Sequence, residues 1–259
     1  MYIILIVLLI KLWIGTHPTN PSYLWSDPSK SLGGLIVPSP TTFLGPTLSA
    51  PHDQPLNPLA PPGPGPFPHS TQIPYLFKVL SIAKALPLQT HPSKELAEKL
   101  HQQDPKLFVD ANHKPEIAVA VADGFRGFVG FGEHTWATKW LREVQELREA
   151  IGNDEAVEAY LKEPTKDGLK NVYASLLTRN SGDIERSIVT LVRRLERDGA
   201  KALSGDERVA EVVKLLYSQY GADVGVLAAP FFMNFVTLNR GEAVFIPADT
   251  IHAYLEGGE

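Results

Sequence analysis

Four side chains stand out for the chemistry they could do together: Gln89, His91, Glu116 and His252. Two imidazoles, a carboxylate and an amide oxygen form a hard-to-borderline donor set. Zinc accepts such a set, and iron or manganese also fit by chemistry alone. The chain contains no cysteine, so thiolate ligands and disulfides are excluded, and a metal would have to sit on nitrogen and oxygen. Gln89 and His91 are two residues apart, as are Lys114 and Glu116. Residues two apart on a strand share a face, so each pair can point into one cavity. Taken singly, a histidine is usually a surface or hydrogen-bonded residue and a strand glutamate is usually exposed. Taken jointly, three segments supply inward polar groups that would be costly to bury unpaired. His101, His113, His134, His52 and His69 lack such company: His101 ends a short helix, His113 alternates away from Lys114 and Glu116, and His134 has no evident partner.

The elements that must position these groups read as strands, then helices, then strands. Tyr75–Leu80 and Leu86–His91 read as strands, and Glu116–Ala122 as a third. On that third strand, Ala118, Ala120 and Ala122 continue the face of Glu116 and would leave room for a ligand, while Ile117, Val119 and Val121 suit packing. Ser93 is placed to cap a short helix over Lys94–His101. Trp140, Val144, Leu147 and Ile151 recur at helical spacing, as do Ile184, Ile188, Leu191 and Leu195 behind a cap at Asp183. Ser204 and Glu207 suit a capping box before Val209, Val212, Val213 and Leu216. Strands return at Phe231–Leu238, Ala243–Ile246 and His252–Leu255. Order of this kind implies an antiparallel β domain interrupted by a helical insertion, with boundaries at 74–130, 131–216 and 217–259 behind an irregular proline-rich segment, 1–73.

The stretch from Pro38 to Pro74 holds 12 prolines. Proline removes amide donors and fixes φ, so a flexible or polyproline-like connection is expected there rather than helix or sheet. Met1–Ile10 is almost wholly apolar but stops at Lys11, short of the roughly 20 residues that span a bilayer; a buried strand or stray leader is expected. The 259 residues are 44% hydrophobic and 20% charged, with 24 basic against 29 acidic side chains and a net charge of −5. Such a balance belongs to a globular protein and argues against a nucleic-acid surface. The lack of cysteine fits a cytoplasmic protein.

Gly241, Pro247 and His252 fit the spacing G-x5-P-x4-H, which resembles the second motif of the cupin double-stranded β-helix, with Glu256 where an asparagine is usual. Four segments extend the likeness: Leu12–Pro18; Pro74–Leu80 running on to Gln89-Thr90-His91-Pro92 and Lys94–Leu100; Asp110-Ala111-Asn112-His113-Lys114-Pro115-Glu116; and Gly241–Ala243 through His252-Ala253-Tyr254-Leu255. On these the chain resembles the type I mannose-6-phosphate isomerases. The resemblance implies a mainly β, cupin-like jelly roll with an α-helical domain. It implies one zinc ion on Gln89, His91, Glu116 and His252, and interconversion of mannose 6-phosphate and fructose 6-phosphate in support of GDP-mannose synthesis. A monomer acting on a small sugar phosphate, without nucleic acid or stable membrane insertion, is expected.

Departures from the family pattern bear on activity. Met1–Lys11 stands in place of the family's first strand, Pro87 occupies a position where relatives commonly have serine, and the family's arginine usually taken as catalytic would lie past Glu259. The chain therefore reads as truncated at both ends, with the second barrel missing, and poor soluble expression is expected. Lys114 and Tyr254 share the metal face and are the candidates for substrate contact. Two readings follow: a zinc-dependent aldose–ketose isomerase, or a catalytically silent cupin fragment that binds metal or sugar phosphate. An iron-dependent cupin oxygenase is a weaker third.

Overall fold

A computed structural model describes residues 10–16, 21–49, 73, 75–109 and 111–257. Strand β1 (Ile10–Ile14) lies antiparallel to β4 (Phe77–Ser81), with Ile14 opposite Phe77. Between them come a hairpin of β2 (Tyr23–Leu24) and β3 (Asp27–Ser31), then α1 (Leu32–Ile36), whose first turn is capped by Ser31 Oγ accepting from the Gly34 amide at 3.0 Å. Residues 10–14 and 23–49 thus carry regular elements where an irregular segment was expected. Residues 1–9 and 50–72 lie outside the described residues, so the expectations for the apolar start and the proline centre fall largely outside them too.

Helix was also excluded too broadly after Pro38. Residues Pro40–Ser49 form α2, which breaks at Gly45, where φ is 74°. Pro40 opens that helix, and a first-turn proline loses no intrahelical hydrogen bond. The break falls one residue before Pro46, as expected when a proline restricts the residue ahead of it.

The largest core is helical. After α3 (Lys94–Gln103), helices α4 (His134–Glu143), α5 (Gln145–Ile151), α6 (Asp154–Lys162), α7 (Lys166–Thr178), α8 (Ser181–Asp198), α9 (Glu207–Tyr220) and α10 (Gly225–Ala228) follow. Among the described residues the helices hold more of the chain than the strands, so the β character expected from the sequence is a minority by length. The apolar stripes are buried as their periodicity requires: Ile184, Ile188, Leu191 and Leu195 all join this core. Their cap is Asn180, accepting from the Asp183 amide at 2.9 Å, so Asp183 lies inside the first turn rather than at the cap. The stripe Trp140–Ile151 is buried throughout, but the backbone leaves the helix at Val144 (φ −113°, ψ 96°), which makes two helices of one periodicity. Asp206, not Ser204, caps α9 and accepts from Val209 N at 3.0 Å; Ser204 ends a preceding 3-10 turn in the left-handed conformation. A bidentate pair ties α5 to α8: Arg194 Nε and Nη2 donate to the two Glu146 oxygens at 2.8 Å each, and the Glu146 side chain is buried.

The strands that frame the candidate site pack against this helical block. Strand β6 (Phe125–Phe131) is central to a three-stranded antiparallel sheet between β7 (Met233–Leu238) and β9 (His252–Glu256). Its neighbour sheet pairs β5 (Glu116–Val119) with β8 (Ala243–Ile246). Strand β6 escapes a sequence reading because its glycines interrupt the apolar alternation. Leu86–His91 does not form a continuous strand. It borders β9 through Leu86 N donating to Tyr254 O at 2.8 Å and a reciprocal pair between Gln89 and His252 at 2.9 and 3.0 Å. Pro87 lies within that run and has no amide to donate, which limits the ladder to separate bridges.

Strand β5 buries the opposite face from the one expected to pack. Ile117, Val119 and Val121 are exposed, whereas Ala118 and Ala120 pack with Ile82, Phe125, Ile246 and Tyr254. The alanines therefore fit beneath a tyrosine rather than leaving an open space. Among the described residues no helix is long and apolar enough to cross a membrane.

Candidate metal centre

Three of the four sequence-selected ligands converge. His91, Glu116 and His252 each bring one donor atom into a group whose members all lie within 4.8 Å of one another. His91 Nε2 stands 3.2 Å from Glu116 Oε1, and His252 Nε2 stands 3.7 Å from Glu116 Oε2. The two imidazole rings are 5.3 Å apart by centroid. His252 opens β9 and is wholly buried, while Glu116 opens β5, whose backbone is held in register opposite Ile246. The strand ends, rather than one continuous sheet, therefore bring the donors together.

Gln89 is placed by backbone register. It sits directly opposite His252 in an antiparallel bridge, and directly opposed residues in such a pair project to the same face. Two residues along, His91 shares that face. The turn preceding β9 is also tied to this segment: Asp249 N donates to the His91 carbonyl at 2.7 Å, and Ser93 N donates to Asp249 Oδ1 at 2.8 Å. The cap expected of Ser93 through its own side chain is not made, although α3 begins after it.

The electrostatics favour a cation among these groups. The Nε2 atoms of His91 and His252 are buried and make no hydrogen bond. A buried nitrogen without a partner costs free energy, and two such nitrogens facing one carboxylate make a site that a divalent ion would satisfy. His252 Nδ1 donates to the Thr250 carbonyl at 2.9 Å. A carbonyl can only accept, so the proton resides on Nδ1 and the Nε2 lone pair is left free for a metal. Thr250 is the residue that sequence reasoning missed here. Its contribution is a backbone oxygen, for which side-chain type gives no signal.

Glu116 is the hub. Tyr254 OH donates to its Oε2 at 2.9 Å and Lys114 Nζ lies 3.1 Å from its Oε1. Burial alone would raise this carboxyl, but the close His91 contact, the charge and hydrogen bond of Lys114 and the hydrogen bond from Tyr254 outweigh it and hold the carboxyl well below the usual range. Burial lowers His252 below an ordinary histidine, keeping it neutral, against the opposing pull of the Thr250 contact and the Glu116 charge. Burial, with the Glu116 charge and the hydrogen bond to it, pushes the Tyr254 phenol up, so it remains a donor. An ionised carboxylate beside the neutral His252 imidazole is the protonation state that metal binding requires.

His52 and His69 lie outside the described residues, and the other histidines weighed from the sequence sit away from this group. His101 Nδ1 meets the Phe108 carbonyl at 2.6 Å beyond the end of α3. His113 is exposed. His134, which looked partnerless in sequence, has its Nδ1 2.7 Å from the Tyr160 hydroxyl, linking α4 to α6. That pairing spans 26 residues and follows only from helix packing.

Comparison with known proteins gives a consistent likeness. A family model described as the catalytic domain of type I phosphomannose isomerase matches residues 63–134, and one described as that family's helical insertion domain matches residues 142–233. The mannose-6-phosphate isomerase of Candida albicans is 35% identical over 260 residues, covering 95% of this chain and 55% of the relative. Its counterpart from Rattus norvegicus is 34% identical at the same coverage of both chains. The chain thus spans about half the length of the curated relatives it matches. Among solved structures, mannose 6-phosphate isomerase from Salmonella typhimurium bound to fructose 6-phosphate and zinc superposes with a TM-score of 0.72 at 26% identity, covering 95% of this chain and 57% of that one. A crystal structure of mannose 6-phosphate isomerase with zinc and yttrium gives 0.73 at 26% identity, with the same coverage.

Proposed function

The chain belongs to the type I phosphomannose isomerase family, and from that premise we propose that it serves a zinc-dependent aldose–ketose isomerase interconverting mannose 6-phosphate and fructose 6-phosphate. The observation that carries the reading is the pair of buried, unbonded Nε2 atoms of His91 and His252 beside the ionised Glu116. Those three residues would hold the ion, with the Gln89 amide oxygen as fourth donor on the face it shares with His252. A bound zinc ion would polarise a sugar carbonyl and stabilise the charge that develops on its oxygen.

The chain's own groups divide the remaining work. Lys114 is half-exposed and reaches Glu116, so its ammonium both steadies the carboxylate and borders the space where a substrate hydroxyl or oxyanion would lie. Tyr254 has its only hydroxyl proton engaged by Glu116. It is therefore assigned as a positioning residue whose phenol oxygen can still accept from a substrate hydroxyl.

The same premise supports a finer reading of the fold. Gly241 takes a φ of 87° in the turn before β8, a conformation natural to glycine, and Pro247 leads out of that strand toward His252. With the facing antiparallel sheets, this favours a cupin-like double-stranded β-helix assembled from 74–130 and 217–259, interrupted by a helical domain near 131–216. The absence of cysteine favours a cytoplasmic setting, and a monomer follows by family.

The test is metal analysis of the purified chain together with turnover of mannose 6-phosphate. Stoichiometric zinc and turnover, both lost in His252→Ala, are expected. Zinc without turnover would replace this reading with a silent metal-binding module. Absence of both would overturn it.

A further inference from the structure

The two imidazoles of the candidate metal centre stand on backbones that are paired only at single points. His252 lies in β9, whereas His91 follows an irregular run that meets β9 at the Gln89–His252 bridge. Pro92 comes directly after His91 and has no amide to donate, which removes a donor where the ladder would run on. Something other than sheet pairing must therefore set where His91 stands relative to His252.

That link is Asp249, in the turn between β8 and β9. Its amide donates to the His91 carbonyl at 2.7 Å, and its Oδ1 accepts from Ser93 N at 2.8 Å. The two bonds grip the chain on either side of Pro92. The second also brings a carboxylate to the start of α3, where negative charge is favoured and where the Ser93 side chain makes no cap of its own. Next to Asp249 comes Thr250, whose carbonyl accepts from His252 Nδ1 at 2.9 Å. Adjacent residues of one turn thus hold the backbone of one imidazole and the ring of the other.

The backbone at Asp249 is chosen for this task. Its φ is 63°, and Ser204 is the only other non-glycine residue with positive φ among the described residues. Thr250 N donates to the Pro247 carbonyl at 3.3 Å, so Asp249 is the third residue of a β-turn, where a left-handed residue is normally glycine or asparagine. Most side chains resist this conformation, but aspartate tolerates it. Alanine would strain the turn and lose the Ser93 bond, glycine would keep the turn and lose only the bond, and asparagine would keep both. Asp249 is exposed, so it adds little to the apolar core, and these contacts account for its place.

We propose that Asp249 is a positioning residue for the metal centre: from one left-handed turn it holds His91 and the Thr250 carbonyl, and so sets the spacing of the two Nε2 atoms before any ion arrives. The proposal deepens the zinc reading and rests on it for the identity of the ion, but the clamp itself acts in the metal-free chain.

The test compares the 259-residue chain with Asp249→Asn, Asp249→Gly and Asp249→Ala. Zinc affinity is measured by competition with a chelating dye, and the visible absorption of the cobalt-loaded chain reports ligand geometry. Asp249→Ala should weaken zinc about tenfold, the lower end for loss of a group that orients a ligand, and alter the cobalt bands. Asp249→Gly should lose less, and Asp249→Asn should restore both readouts. A role confined to folding would lower the urea midpoint of Asp249→Ala and leave the affinity and bands of the folded chain unchanged. If Asp249→Ala does not fold, Asp249→Gly, which keeps the turn, carries the same comparison. In the metal-free chain, cross-relaxation between the His91 and His252 rings, centred 5.3 Å apart, should be present in wild type and Asp249→Asn and weakened in Asp249→Ala. Zinc affinity and cobalt bands equal to wild type in Asp249→Ala would overturn the proposal and leave the zinc reading standing. Wild type that binds no zinc would remove the zinc reading; the ring contact then decides, and its persistence in Asp249→Ala would overturn the clamp. Asp249→Asn no better than Asp249→Ala would overturn the role given to Oδ1.

Discussion

Tyr254→Phe removes one atom from the candidate metal centre and little else. The ring stays edge-on to Phe125 at a centroid distance of 5.5 Å, so the small sheet core around Ile82 and Ile246 keeps its packing. What is lost is the hydroxyl that donates to Glu116 Oε2 at 2.9 Å. A hydrogen bond to an ionised group contributes about 1.5–3 kcal/mol. Lys114 cannot replace it, because it pairs with the other oxygen, Oε1, and is 46% exposed, where an ion pair is worth at most about 1 kcal/mol. The His252 Nε2, 3.7 Å from Oε2, cannot substitute for it, because it presents a lone pair and not a proton. The carboxylate should therefore turn from its present orientation unless a cation holds it. Loss of an outer partner of a ligating carboxylate typically weakens metal affinity about 10–100-fold. Because a carboxylate with fewer donors is also more basic, the lower figure is expected, about tenfold or 1.4 kcal/mol. Zinc affinity measured by competition with a chelating dye is the assay, with a urea melt of the metal-free chain to show that the fold is retained. Zinc affinity equal to or tighter than wild type, with an unchanged melt, would refute the idea that this hydroxyl positions Glu116.

Three further outcomes follow from other parts of the molecule. Glu146→Ala leaves Arg194 facing a buried gap between α5 and α8, and should lower the unfolding free energy by about 3 kcal/mol in urea. Asp206→Ala removes the acceptor for Val209 N and should cost about 1 kcal/mol, whereas Ser204→Ala, at the residue the sequence favoured, should leave the start of α9 capped by Asp206 as before. The metal-free chain should also lose stability in acid. His252 is depressed in the native state, so below the ordinary histidine value the unfolded chain binds more protons. Its contribution is full above about pH 6.5 and declines as the pH falls toward the lower native value. Glu116, also depressed, adds a loss of the same sign in the carboxylate range. Urea midpoints taken between about pH 8 and 4 would check the trend, and a flat profile would contradict the burial of a neutral His252.

How much of this could be read without coordinates depends on the range over which each feature is determined. Helical stripes were legible because burial of one face imposes a short repeat on the sequence itself. Ile184, Ile188, Leu191 and Leu195 were found together for that reason, and they are buried together. Where those helices start was less legible: Asn180 and Asp206 won the caps over Asp183 and Ser204, because several polar residues near each start can cap and backbone geometry chooses among them. The break at Val144 left no mark on the apolar period at all.

For the site, residue chemistry was local and geometry was not. The spacing of Gln89 and His91, the carboxylate at Glu116 and the turn leading to His252 nominated the donors, since strand alternation fixes which neighbours share a face. Their meeting required contacts across 138 residues, from Tyr254 to Glu116, and a bridge from Gln89 to His252 that Pro87 confines to single pairs. The Thr250 carbonyl that sets the His252 tautomer, the outward turn of Ile117 and Val119, and the contacts of Asp249 with His91 and Ser93 are likewise products of packing. The sequence by itself determined which groups can bind a metal. Only the tertiary structure decided which proton each group carries and which groups face one another, because both depend on burial and on partners distant along the chain.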